Sequence, residues 1–179
     1  MSRVGSLTFS TLEAAMGYAL MPNNTKLDPV AQNPRIITAQ LHLTNLIIDS
    51  AKDPFVEFAD LVATVGTHNA TQIALRHSAW IESTDHWAQT YANQHATVED
   101  LLTSKPKALW DLYCQAYPIF DDSACVQLFL AHGFDGAIHA GNAQFNEHEE
   151  YRVFDRSRIT ILDITPAYPT QVRHEHPRI

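Results

Sequence analysis

The chain has 179 residues, 45% of them hydrophobic and 18% charged, with a formal net charge of -8. That composition excludes a disordered polar chain and supplies enough apolar residues for one domain with a proper core. The acidic balance argues against a nucleic-acid backbone as main partner, since that partner asks for a basic face. No apolar run is long enough to span a bilayer, and the N-terminus lacks the basic-then-apolar pattern of a secretory leader.

Residues Ser6 to Ser10 read as a short strand. A helix should follow, because Ser10-Thr11-Leu12-Glu13 fits a capping box, in which hydroxyl and carboxylate satisfy the free amides of the first turn. Ala14, Ala15, Tyr18 and Ala19 would give that helix a compact apolar face. Met21 to Asn33 is loop chemistry, long enough to be a functional loop. From Arg35 the period changes: Ile37, Ala39, Leu41 and Leu43 alternate with polar residues as in a half-buried strand, and Asn45 interrupts it before Leu46-Ile47-Ile48.

Asp53-Pro54 predicts a helix start, with Asp as cap and Pro in the first helical position. Phe55, Phe58, Ala59 and Val62 would line its face, and Gly66 would stop it. Helical patterns continue over 70–94, 97–102 and 106–116, and Asp121 or Asp122 caps a helix over 123–132 that Gly133 closes. Phe134-Asp135-Gly136 turns into a short strand, Ala137 to His139, before a polar loop. Tyr151 to Phe154 and Ile159 to Leu162 read as strands split by the turn Asp155-Arg156-Ser157. Strands grouped at both ends around a helical middle predict an α+β fold, one domain over 1–165 with a loosely held tail over 166–179.

Cys114 and Cys125 fall in apolar, helix-like segments, which points to buried reduced thiols and a cytoplasmic protein. They are too far apart in sequence for a zinc knuckle. Of the ten histidines, His77 and His86 would lie on roughly opposite sides of one ideal helix, and no metal centre is expected. There is neither a Gly-rich phosphate loop nor a GxSxG elbow.

The charged run Glu147-His148-Glu149-Glu150 abuts a strand. Read alone, it is either a solvated hairpin loop or the place where one carboxylate enters a cleft. Strand alternation puts Glu150 with Arg152 and opposite Tyr151 and Val153. With Tyr151 and Val153 as core candidates, Glu150 would occupy the open face of the sheet, where a carboxylate can reach a ligand without being buried unpaired.

Gly133-Phe134-Asp135-Gly136-Ala137-Ile138, a loop, and then Glu150-Tyr151-Arg152-Val153-Phe154-Asp155-Arg156-Ser157-Arg158-Ile159 resemble the C-terminal part of ADP-ribosyltransferase domains of phage and bacterial toxin or polyvalent proteins. Leu7-Thr8-Phe9-Ser10-Thr11 with Ala15 and Tyr18-Ala19 is similar to that family's second motif, and Ile37 to Asp49 to its next strand, with Asn45-Leu46-Ile47 in place of Asn-Pro-Leu. The resemblance implies a split antiparallel sheet with a helical middle region, NAD as co-substrate, and a protein target, such as a host factor, as acceptor of ADP-ribose. It implies Glu150 as the catalytic carboxylate and Ser10 as the hydroxyl supporting the site. For Ser10 the capping box is a rival role, and Thr8 on the same strand face is the alternative. Tyr18 lies where relatives carry an aromatic near the nicotinamide pocket, although core packing explains it equally. His148 takes the acceptor-orienting position, where arginine-specific relatives carry Glu. Family members begin with a strand whose His or Arg grips NAD; only Met1 to Gly5 precede the second motif here, leaving Arg3 as the candidate. The alternative reading is a non-catalytic phage or bacterial binding or inhibitor protein that keeps the fold.

Overall fold

The computed structural model of the protein describes residues 5–20, 34–141 and 148–167. Arg3, the loop of 21–33, most of the loop after Gly141 and the tail beyond Ala167 lie outside them. The described chain is α+β, with three small sheets around a helical middle. The first strand, β1 (Leu7–Phe9), is followed by helix α1 (Leu12–Leu20). Strands β2 (Arg35–Leu41), β3 (Leu46–Ser50) and β4 (Phe55–Glu57) lead into α2 (Phe58–Arg76), α3 (Ser78–Glu82), α4 (Asp85–Thr90) and α5 (Val98–Ser104). A 3-10 turn, β5 (Tyr113–Gln115), α6 (Ala116–Asp121) and α7 (Ser123–Ala131) come next. Strands β6 (Gly136–Ala140), β7 (Glu149–Val153) and β8 (Ile159–Pro166) complete the described order.

The largest sheet runs β1-β7-β6-β3; β1 and β6 are antiparallel to β7, but β3 is parallel to β6. The sheet is therefore mixed, against the expectation of an all-antiparallel arrangement. Strands β2 and β8 form a separate antiparallel ribbon with an irregularity between Thr38 and Ala39, and β4 pairs with β5. Asp135 ties ribbon to sheet. Its carboxylate accepts from the Thr44 amide (3.0 Å), the Thr44 hydroxyl (2.8 Å) and the Asn45 amide (2.9 Å), and Arg158 approaches to 3.4 Å. Burial alone would raise the pKa of Asp135, but these donors hold it below the usual carboxylate value.

Several local expectations were displaced by tertiary contacts. Asp53 does accept from the Phe55 amide (2.9 Å), but the chain then extends into β4 because β5 offers a pairing edge, and α2 begins only at Phe58. Its buried face is accordingly Phe58, Leu61 and Val65, with Ala59 and Val62 only partly covered. Gly66 breaks α2 at φ 83° and ψ 158°, so the predicted stop is a kink from which a second helical segment restarts. The end of the predicted 106–116 helix is β5. In β2 the buried residue is Ile36, while Ile37 is half-exposed. Asp122 caps α7, and Gly133 closes it at φ 86°. Pro166 ends β8, and Ala167 is buried with its amide on the Pro34 carbonyl.

One large apolar cluster spans α2 to α7 and the inner face of β3 and β6, with Phe58, Phe120 and Phe129 fully buried. A small second cluster of Met16, Ile36 and Ala167 joins α1 to the ribbon. Among the described residues no helix is long and apolar enough to cross a membrane. Both cysteines are free and buried.

Candidate functional site

The start of β7 positions Glu150. Its Cα partner on β6 is His139, and Arg152 lies opposite Ala137 on one side and Thr8 on the other. Glu150, Arg152 and His139 thus share one face, as alternation predicts. That face is not open, however: Glu150 is only 5% and Arg152 4% exposed. The end of α6 packs over the face, with the Phe120 ring stacked on His139 at 5.8 Å and the Ser6 amide bonded to the Phe120 carbonyl. The fit is tight, because a Cβ at Gly5 would stand 2.4 Å from the Asp121 carbonyl oxygen.

Burial of these polar groups is tolerated because they satisfy one another. Arg152 uses all three of its guanidinium nitrogens. Nη2 donates to Glu150 Oε2 (2.9 Å), Nη1 to Asp121 Oδ1 (2.7 Å) and Nε to His139 Nε2 (3.0 Å). An acceptor at Nε2 means that the His139 proton sits on Nδ1, which donates to the Ala140 carbonyl (2.6 Å). Burial first, and then the adjacent guanidinium, lower the pKa of His139 below its usual 6.5, so it stays neutral and its 3.7 Å approach to Glu150 is not an ion pair. The remaining Glu150 oxygen, Oε1, accepts from the Tyr18 hydroxyl (3.3 Å). Burial, followed by the Glu150 charge, raises the pKa of that phenol. Tyr18 itself is 49% exposed, so it forms the outer wall of the cluster and is not packed in the core.

The other predicted residues gather nearby in different roles. The Ser10 hydroxyl donates to the Glu149 carbonyl (2.6 Å), pinning the start of β7 to the end of β1. The helix cap is Thr11, whose hydroxyl accepts from the Ala14 amide (3.3 Å), so Ser10 is released from the predicted capping box. Thr8 is exposed. His148 lies over the first turn of α1, with Nδ1 3.2 Å from the Thr11 hydroxyl and Nε2 4.0 Å from Glu13. Glu149 points to the opposite face and accepts from the Tyr151 hydroxyl (2.6 Å). His139 and Asp121 escaped sequence reasoning. His139 is cross-strand from Glu150, a pairing set by register, and Asp121 was read only as a cap.

On that opposite face lies a cleft of about 390 Å³ between β1, the start of α1 and β2, walled by Phe9, Ser10, Leu12, Ile36, Ile37 and Tyr151. It is at the small end of ligand sites, which run to about 1,000 Å³. Its lining contains no Lys or Arg to meet a pyrophosphate, and Ser10 lines it whereas Glu150 does not. The chain matches no family model, no curated protein and no solved structure.

Proposed function

We propose that the protein is an ADP-ribosyltransferase-like enzyme that moves ADP-ribose from NAD to a protein target, with Glu150 as the catalytic carboxylate. The observation that carries the reading is the Glu150 carboxylate itself. It is oriented by Arg152 through one oxygen, and its other oxygen is covered by a tyrosine at the protein surface. Movement of Tyr18 would present Oε1 to a ribose 2′-hydroxyl. Cleavage of the N-glycosidic bond leaves positive charge on the ribose as neutral nicotinamide departs, and the acceptor nucleophile then bonds to the anomeric carbon and loses its proton. A fixed carboxylate stabilises that developing charge more than it does the ground state. Ser10 would hold the strand that carries Glu150, and His148, at the loop end of that strand, would border the acceptor. Free Cys114 and Cys125 are compatible with a cytoplasmic setting.

The test is transfer of label from NAD to proteins of a host extract by the wild-type chain, Glu150→Gln and Tyr18→Phe, with folding checked by near-UV circular dichroism. Labelling by the wild type that Glu150→Gln abolishes is the expected result. Equal labelling by Glu150→Gln, or none by the wild type, removes the enzymatic reading.

A second reading, a non-catalytic binding or inhibitor protein, is favoured by two observations. Glu150 is enclosed in a satisfied network away from the apolar cleft. The ribbon also exposes Ile37, Ile161, Leu162 and Ile164, each about half or more. On this reading NAD leaves the melting temperature unchanged, whereas a ligand at 100 times its dissociation constant adds about 2.7 kcal/mol. Capture of a host protein would then depend on Ile161 and Ile164 and not on Glu150.

A further inference from the structure

At the C-terminal end of α2, beyond its kink, His77 meets two metal-ligating side chains from the start of α7 that lie far from it in sequence. His77 follows the last turn of α2, Asp122 is the N-cap of α7, and Cys125 lies in the first turn of the same helix. The Ala124 amide occupies Asp122 Oδ1 (2.8 Å), and Oδ2 stands 3.4 Å from His77 Nε2. Cys125 Sγ stands 3.5 Å from that same nitrogen, and the three ligand atoms all lie within 4.8 Å of one another. We propose that His77, Asp122 and Cys125 form a binding site for a divalent transition metal of the zinc class.

Hydrogen bonds link the three groups only loosely: the Asp122 carboxylate can accept from His77 and from the Cys125 thiol, but 3.4 Å to His77 Nε2 exceeds the usual N–H···O range of about 2.7–3.2 Å. A tetrahedral metal explains both separations. Bond lengths of about 2.0 Å to nitrogen, 2.1 Å to oxygen and 2.3 Å to sulfur place neighbouring ligands about 3.4 Å apart for N and O and about 3.6 Å for N and S. One neutral imidazole, one carboxylate and one thiolate are a zinc-type donor set whose two negative charges match a dication. Binding transfers the Cys125 thiol proton to solvent as the metal–sulfur bond forms.

The surroundings suit such a site. His77 and Cys125 are almost fully buried, 7% and 3% exposed. Cys125 also lines a cleft of about 480 Å³ between α2 and α7, bordered by Gln72, Arg76 and Leu128. An ion therefore has a route in, and its fourth position would open on the cleft, as in zinc sites that hold a water or a substrate. Arg76 pairs with Asp122 through Nε to Oδ2, a contact that a metal on that oxygen would displace, and, at 3.2 Å, through Nη2 to Oδ1. With the metal on Oδ2, the Nη2 contact remains as the outer bond that orients the carboxylate. The ion pair holds Asp122 in place, and the thiol and imidazole nitrogen that meet beside it complete the donor set.

The test is titration of chelator-stripped full-length protein with Co²⁺. One equivalent should produce a thiolate-to-cobalt charge-transfer band and tetrahedral d–d absorption. Cys125→Ser should abolish the band, His77→Gln should weaken binding at least tenfold, and Cys114→Ser should leave both unchanged. In the wild type, Zn²⁺ should slow alkylation of Cys125, mapped by mass spectrometry, and leave that of Cys114 unaltered, a readout that needs no variant to fold. Absence of the band in the wild type, its survival in folded Cys125→Ser, or alkylation of Cys125 indifferent to Zn²⁺ would overturn the site. Adventitious ions on surface histidines yield no thiolate band.

Discussion

At the scale of single residues, Arg152 decides the character of the site. It binds a carboxylate on its own strand, a carboxylate at the end of α6 and the bare nitrogen of His139. Removing Glu150 leaves the guanidinium buried with half its compensation, so Glu150→Ala should cost about 3 kcal/mol by urea denaturation, and Glu150→Gln, which keeps an acceptor, clearly less. The two buried histidines set a pH dependence. Burial lowers the pKa of both His77 and His139 below 6.5, so the unfolded chain binds more protons than the folded one between that value and the lower folded-state values. Their contribution is complete above about pH 6.5 and is lost as pH falls through the window down to the folded-state values, by up to about 1.4 kcal/mol per pH unit for each group. Denaturation free energies measured from pH 8 to 5 should therefore fall on the acid side, and His139→Gln should flatten the slope. The buried thiols behave otherwise: burial pushes Cys114 and Cys125 up to about 12, so neither is a nucleophile without a cation to draw off its proton.

At the scale of elements, glycines mark where the chain could not proceed regularly. Gly66 has no heavy atom within 4 Å of where a Cβ would stand, so volume does not select it. Its φ of 83° with ψ of 158° is a region essentially reserved for glycine. Gly66→Ala, normally a gain within a helix, should here cost about 1–3 kcal/mol, seen as a lower midpoint with an unchanged denaturant slope. Gly136 is the reverse case: its φ is ordinary, but a Cβ would come within 2.6 Å of the Arg152 carbonyl oxygen. The missed pair β4–β5 belongs to this scale too. Each strand is three residues long and exists through the other, so neither segment carries a strand period of its own.

At the scale of the whole molecule, stability is unevenly shared. Among the described residues, the cluster spanning α2 to α7 contains most of the buried apolar side chains, whereas Met16, Ile36 and Ala167, flanked by Ala15 and Ala19, form the buried centre that joins α1 to the β2–β8 ribbon. Amide hydrogen exchange should show α1 and the ribbon opening at a lower free energy than α2 and α7. If the two exchange together at the global unfolding limit, that division is wrong. Tyr18, the wall of the Glu150 cluster, is carried by the less firmly held part, which is where a movable cover belongs. Polar replacements at Ile161 and Ile164, 56% and 52% exposed, should change stability by no more than about 0.5 kcal/mol, so any loss of partner binding they cause reports the surface itself.

The grouping of strands at both ends around a helical middle, a cap at Asp121 or Asp122, the stop at Gly133 and the shared face of Glu150 and Arg152 follow from the sequence by itself, because each rests on neighbours within a turn or a strand period. Tertiary structure decided the rest. Whether the Glu150 face met water or α6, whether 55–57 paired or coiled, and which of Ile36 and Ile37 turned inward all depended on distant segments competing for the same surface. The same holds for the meeting of His77 with Asp122 and Cys125. A local pattern states which face is apolar or charged; only the packing of remote elements states what that face will touch.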